Sequence, residues 1–590
     1  MIPGFDFGTT NSLVSLVSGG RVIDLTEEDR PYPSVVRYEG EEVIVGREAR
    51  DALEEVGLGV HGTTVRSPKM FLGKEVVNVG GVDRSPIDVV SDVIRHVRTK
   101  SLNSPRARRA ERESLGALDR AVVTIPVKFD GPQRAALREA FGRAGMSVVQ
   151  FVHEPFAALY GYLRGAPDFE STIRALMRRR VLVVDWGGGT LDLTLCRIEP
   201  GRILQIHNRG TDQVGGDKFD EVIRDAVVAR FSYQNGISPS DKPIREARLR
   251  LLQTTEANKI ELSKEPSVTF YRPGYFPESG KDLNYSISRQ ELDEITRPLV
   301  AQGRSEIENL LDLVGISPAE ISLCLVAGGM AAMPSIRSSL YELFGPEKVV
   351  VPDNSATLVS QGAAWIAHDS QPLVLAKQIE LEMARGFLLP LLRAGTAMPT
   401  IGEVKGDRFH LYCTDPSDGT AKFSIVAPTE IAEHPQATDR RTSLGMVTIE
   451  VDETAPPMVE RLTLDVKIND DLVLSATAMS SQRGDRSDAS YYDLEFGIGL
   501  PGSEGLGSID ITDTDAFPPA GGLVARTNVA DRNDQALVPG DVLYKHNPRA
   551  FERLPGPNQA TGDQLREHLY YQPCGSCKRP WGDPACSCAS

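Results

Sequence analysis

The sequence predicts an α/β domain made of two similar halves, then an all-β domain, then a cysteine-containing tail. The pattern strand, acid, glycine turn, strand occurs twice, at residues 5–17 and 181–195. Other strands before residue 370 feed glycines or prolines that open helices. After residue 370 helical periodicity stops, and short alternating runs with turn residues take over.

Composition narrows the function classes. A chain of 590 residues suits two to four domains, and 41% hydrophobic content can bury their cores. Its 65 basic and 81 acidic residues give a net charge of −16, which argues against nucleic acid as the main partner. Met1 leads straight into a strand-like run, and no apolar run spans about 18 residues, so neither signal peptide nor membrane span is expected. Cys196, Cys324 and Cys413 sit in apolar surroundings and read as inert buried thiols, which fits the cytoplasm. Cys574, Cys577, Cys586 and Cys588 crowd the last 17 residues.

Val181–Val184 reads as a buried strand, and Asp185 closes it. Gly187, Gly188 and Gly189 then turn the chain without β-carbons, and Leu191, Leu193 and Leu195 alternate along a second strand. Alone, this fits either a tight hairpin beside an acid or a cradle for a metal-bound phosphate. Phe5–Ser12 repeats the plan with Asp6, Gly8, Thr9, Thr10 and Asn11, hydroxyls replacing two glycines. Two copies about 180 residues apart point to a duplicated fold with an anionic ligand between the halves.

The remaining elements follow in order. Pro31–Gly46 reads as two strands, and Lys69 precedes a short apolar run, where spacing alone suggests a solvated surface lysine. Ser85–Arg98 is an amphipathic helix with Ser85 as cap. A charge run at 106–113 reads as a solvated helix face or loop. Ala121–Pro126 is a buried strand, Gly131–Gly145 a helix carrying Arg134, and Val148–Val152 a strand ending near Glu154. Pro155 opens the helix Phe156–Leu163, and residues 164–180 read as a surface connection. Gly215 and Gly216 precede a helix over Phe219–Phe231, a second anion nest. Arg245–Ser263 is a helix with Glu256, Lys259 and Ser263 on one face, ordinarily a solvent face. Gln290–Val314 is helical, Leu323–Ala327 is a strand feeding Gly328 and Gly329, and Ser355–His368 is a helix. Five alternating runs between 409 and 476 make the all-β domain, with a hairpin turn at Asn469–Asp471. Beyond residue 500 the chain is rich in Gly, Pro, Asp and Asn, which predicts flexibility.

The segments FDFGTTNS, KMFLG, VTIPVKF, HEPFAALYGY, VDWGGGTLDLTL, VGGDKFD, EANKIELS and VAGGMAAMPSI occur in this order over residues 2–367. They resemble the signature motifs of the 70-kDa heat-shock protein (DnaK-type) chaperones. Residues 379–497 are similar, more weakly, to that family's peptide-binding β-sandwich. The resemblance implies an actin-like ATPase of duplicated ribonuclease H-like lobes over 1–369, a linker over 370–378, a peptide-binding domain over 379–500 and a tail over 501–590. It implies ATP or ADP with Mg²⁺ in the cleft. Asp6 and Asp185 would hold Mg²⁺ largely through water. Thr9, Thr10 and the 187–190 turn would hold the β- and γ-phosphates, with Thr190 by the γ-phosphate and Asp192 as a further metal or water contact. Lys69 would contact the γ-phosphate and position the attacking water. Glu154 and Pro126, with Arg134, would sense the γ-phosphate. Gly215, Gly216, Glu256, Lys259, Ser263, Gly328 and Gly329 would line the nucleoside pocket. The implied activity is ATP hydrolysis that switches peptide affinity. The implied partners are unfolded clients, a J-domain co-chaperone and a nucleotide exchange factor, without nucleic acid or membrane.

Departures from the family pattern are local. Met330 stands where a small polar residue is usual, and Ala332 where a basic one is common, so adenine contacts are expected to differ. Polar residues near Val359–Gln361 also differ, and Asp353 is offset from the usual acid. The linker QPLVLAKQ lacks an acid after its leucines. No long helical lid follows residue 500, which predicts faster peptide release. Trp186 is bulky for its position beside Asp185 and is expected to pack behind the turn. The four tail cysteines fit either a zinc site or a terminus with free thiols. Two rival functions are a small-molecule kinase of the same superfold and a non-enzymatic scaffold or sensor.

Overall fold

The computed structural model describes residues 1–501 except 29, 52–58, 111–117, 384–387, 414–415, 432–437, 457–458 and 481–482, together with short strand segments between 523 and 543. The tail cysteines lie outside the described residues. The chain divides into two compact units, one centred on Met1–Pro372 and one on Leu373–Gly497.

Two sheets of one topology build the first unit. β1 (Gly4–Phe7), β2 (Asn11–Ser18), β3 (Arg21–Asp24), β4 (Arg120–Ile125) and β5 (Ser147–His153) lie in the order β5-β4-β1-β2-β3. β6 (Arg180–Trp186), β7 (Leu191–Glu199), β8 (Arg202–Thr211), β9 (Ile321–Ala327) and β10 (Val349–Val350) lie in the order β10-β9-β6-β7-β8. In each half strands one to three run antiparallel, and strands one, four and five run parallel. Central strands covered on both faces need continuous apolar runs, and Val181, Leu182, Val183 and Val184 are all fully buried. Asp6 and Asp185 occupy matching places near the ends of the two central strands.

A helix closes each half, Glu154–Arg164 after β5 and Leu358–Asp369 after β10. They approach through glycine. A β-carbon on Gly362 would lie 1.7 Å from the Ala157 carbonyl oxygen, and one on Gly161 would lie 2.9 Å from Gly362 N. The second helix also lies against the first sheet, where a β-carbon on Gly4 would meet Ala364 N at 2.2 Å. Gly362→Ala therefore forces backbone from backbone, and overpacking costs about 1–3 kcal/mol. We expect a loss near the upper end, seen as earlier thermal unfolding of the full chain; an unchanged transition would show that the helices can slide apart.

Several elements depart from expectation. Residues 164–180 hold a helix, Phe169–Leu176, whose Asp168 cap accepts a hydrogen bond from Ser171 N–H. The helix after Gly215 runs over Gly216–Asn235, and an unforeseen hairpin pairs Ser267–Phe276 with Lys281–Ser288. The last helix begins at Leu358 rather than Ser355, because Ser355 N–H closes a turn onto the Pro352 carbonyl. Ser85 sits at its helix start but makes no side-chain cap, whereas Asp130 and Gln133 form a full capping box on the helix Gly131–Arg143.

The second unit contains two antiparallel four-stranded sheets. One has the order Leu388–Leu392, Ile379–Glu382, Thr420–Pro428, Arg441–Glu450; the other Val404–Tyr412, Arg461–Asn469, Leu474–Ser480, Arg486–Tyr491. Alternation along Arg461–Asn469 buries Leu462, Leu464, Val466 and Ile468 and leaves Lys467 out. The Asn469 turn carries Leu472 at φ 61°, and the Asn469 side chain accepts from the N–H groups of Asp471 and Val473.

Candidate nucleotide site

The two acid-and-glycine turns face each other across the first unit. A β-carbon on Gly188 would lie 2.7 Å from Thr10 Oγ1, and one on Gly189 would lie 3.1 Å from Thr9 Oγ1. The Thr10 hydroxyl is buried with no hydrogen-bond partner among the described residues. Gly8 admits no side chain either, since its β-carbon would sit 2.1 Å from the Asn11 carbonyl oxygen. Gly187 N–H donates to the Thr190 carbonyl at 2.8 Å and closes the second turn.

The glycines at 215–216 join this turn. Gly216 N–H donates to Gly187 O at 3.1 Å, and Asp217 N–H to Gly188 O at 2.8 Å. A β-carbon on Gly215 would lie 2.3 Å from the Gly189 carbonyl carbon. Gly328, at φ 83°, packs so that its β-carbon would lie 2.5 Å from Asp185 Oδ1. Gly329 has open space around it.

Lys69 is buried, contrary to the surface position its spacing suggests. A 3₁₀ turn over Pro68–Phe71 carries it, and its Nζ donates to Glu154 Oε1 at 2.9 Å. Four carboxylates, Asp6, Asp185, Asp192 and Glu154, thus share one ammonium. Burial, then Glu154, pushes Asp6 and Asp192 up to about 7, against the pull of Lys69 and of hydrogen bonds from Thr124 to Asp6 and from Val127 N–H to Asp192. Burial, then Glu154, Asp192 and Asp6, holds Asp185 well above the usual carboxylate range. Asp192 Oδ2 has no partner among the described residues.

This donor set suits a divalent cation and phosphate: buried hard oxygens in excess of positive charge, beside an unpartnered hydroxyl. Among the described residues, no three His, Cys, Asp or Glu side chains converge closely enough to ligate a metal directly. The unfolded carboxyls release protons near 3.8 and the folded Asp6 and Asp192 at about 7. The stability they contribute is complete below 3.8 and lost as pH rises through 7. Thermal scans without nucleotide are expected to fall between about pH 4 and about pH 7, and Mg²⁺ with ADP to reverse the fall. A flat profile would contradict the coupled acids.

The face at Glu256, Lys259 and Ser263 is engaged rather than solvated. Lys259 Nζ pairs with Asp220 at 2.8 Å and donates to the Gly216 carbonyl at 3.0 Å. Glu256 accepts from Arg66 at 3.1 Å, and Ser263 Oγ donates to the Lys259 carbonyl at 3.3 Å. Arg134 is fully buried and donates to the Phe129 carbonyl at 2.7 Å. Phe129 N–H in turn donates to the Pro126 carbonyl. Sequence reasoning missed Arg66, Thr124, Asp217 and Asp220 as site residues, although Thr124 lay inside the quoted segment VTIPVKF and Asp217 and Asp220 inside VGGDKFD.

A sequence model of the family described as Hsp70 protein matches residues 2–487. The chain belongs to the Hsp70 family. It is 28% identical over 493 residues to the Chaperone protein DnaK of Mycoplasma mycoides subsp. mycoides, covering 81% of this chain and 77% of the relative. It is 27% identical over 528 residues to that of Deinococcus radiodurans, covering 82% and 78%. Hsp70 membership makes the chain an ATP-dependent molecular chaperone, an actin-like ATPase that binds ATP or ADP with Mg²⁺ and is joined to a β-sandwich. No described helix is long and apolar enough to cross a membrane.

Proposed function

We propose that the facing turns at 8–11 and 187–190 hold the β- and γ-phosphates of ATP. The observation that carries this is the unpartnered Thr10 hydroxyl against Gly188. Asp6 and Asp185 would hold Mg²⁺ through water, with Asp192 as a further metal or water contact. When bound, the cation neutralises phosphate charge. Lys69 orients the attacking water and meets charge developing on the γ-phosphate. Glu154, held by Lys69, reports the γ-phosphate through Pro126 and Arg134. Gly215, Gly216, Glu256, Lys259, Ser263, Gly328 and Gly329 line the nucleoside end.

Hydrolysis switches peptide affinity in the β domain, with 370–378 as linker and 379–500 as the peptide-binding domain. A cavity of about 320 Å³ where Leu381, Met383, Leu411 and Phe423 meet Glu382, Asp418 and Lys422 supports a side chain of an extended client as occupant. The partners are unfolded clients, a J-domain co-chaperone and a nucleotide exchange factor. The compartment is the cytoplasm, a reading that the buried cysteines Cys196, Cys324 and Cys413 support. The tail cysteines form a zinc site if purified protein carries near-stoichiometric zinc.

ATP turnover with and without an unfolded peptide tests the function. Peptide-stimulated hydrolysis supports it. Turnover only with a small hydroxyl substrate would make the protein a kinase, and no turnover a scaffold.

A further inference from the structure

Trp186 lies between Asp185 and the glycine turn, and its indole is 1% exposed. Space for it is made elsewhere in the chain. Gly303 lies inside the helix Arg289–Val314, and a β-carbon there would lie 2.2 Å from the indole Cη2. Glycine inside a helix costs about 1 kcal/mol relative to alanine, so the helix gives up stability where the indole needs room. On its other side the ring meets Phe219 edge to face, with centroids 6.2 Å apart.

The polar end of the indole is directed. Trp186 Nε1–H donates to the Val214 carbonyl at 2.5 Å. Val214 precedes Gly215 and Gly216, and the N–H groups of Gly216 and Asp217 donate to the carbonyls of Gly187 and Gly188 in the 187–189 turn. The carbonyl of Trp186 lies against Gly328, whose β-carbon would be 2.4 Å away. One residue therefore touches all three glycine loops of the second half: it starts the first, bonds the second by its side chain and packs its backbone on the third. Backbone N–H groups on three loops hold one anion only if the loops keep a common register.

We propose that Trp186 is a positioning residue that locks the loops at 187–189, 214–216 and 328–329 into one nucleotide-holding surface, and that its indole reports occupancy of that surface. The inference rests on the nucleotide reading of the site. Trp186→Phe keeps an aromatic ring but leaves the buried Val214 carbonyl without its donor, a loss of about tenfold in affinity. The expected result is a KM for ATP, with Mg²⁺ present, raised about tenfold, with a smaller change in kcat. In a Trp365→Phe, Trp581→Phe background, Trp186 emission should change on addition of Mg²⁺ and ADP. Gly303→Ala, which pushes the indole from the helix side, should raise KM in the same direction and serves if Trp186→Phe does not fold. A lowered melting temperature with unchanged KM, or emission indifferent to nucleotide, overturns the inference and leaves a packing role only. Failure of the unsubstituted protein to bind ATP overturns the nucleotide reading, and this inference with it.

Discussion

Lys69→Ala is expected to lower steady-state ATP turnover by about 10²–10³-fold, the usual loss when one preorganised donor to a developing charge is removed. The side chain is 4% exposed, and its ammonium acts on Asp6, Asp185 and Asp192 together. Its removal leaves Glu154 buried without its ion-pair partner and pushes the three aspartates further toward their protonated forms. ATP affinity should fall less than turnover, because the turns and the glycine loops keep their backbone donors. Single-turnover hydrolysis beside equilibrium nucleotide binding separates the two effects. Turnover within about threefold of the parent would remove Lys69 from the chemistry.

Local chemistry explains which parts of this site were legible in sequence. The two turns announce themselves because acid, glycine and hydroxyl are consecutive in the chain, and the matching topology of the two sheets agrees with the duplication they suggest. Lys69 and Glu154 lie 85 residues apart, and no spacing rule joins them; only the resemblance did. The pairing of Arg66 with Glu256, 190 residues apart, stayed invisible for the same reason. Trp186 was conspicuous as an oddity, but its account required Gly303, which in sequence is merely a glycine inside a helical pattern. The helix Phe169–Leu176 was missed because its polar residues resemble those of a connection, and only its Asp168 cap signals a start. In the β domain, Pro390 inside Leu388–Leu392 and the polar run Arg486–Tyr491 hid two strands that pairing partners decide.

Lys377 carries the other large expected effect. In sequence it is the basic residue of QPLVLAKQ, a linker notable for lacking an acid. In the second unit the lysine is buried: its Nζ lies 3.4 Å from Glu495 Oε1 and donates to the Thr429 carbonyl at 3.1 Å, with side chains 4% and 8% exposed. Burial pulls the lysine pKa down and Glu495 opposes the shift. Ala376 N–H also donates to the Glu495 carbonyl, so the same short segment is fastened by backbone and side chain. Breaking such a pair from one side costs about 3–5 kcal/mol, because the remaining charge stays buried without its counter-charge, whereas replacing both partners with apolar residues is often neutral. Lys377→Ala should therefore speed amide exchange across Arg461–Ser480 in the full chain, and Lys377→Met with Glu495→Leu should restore most of the protection. The comparison is decisive because a surface pair predicts the reverse ordering of effort: each single change nearly silent, and the double no better than either. Exchange unchanged by Lys377→Ala would mean that water reaches the pair, and that the linker segment is held by its backbone alone.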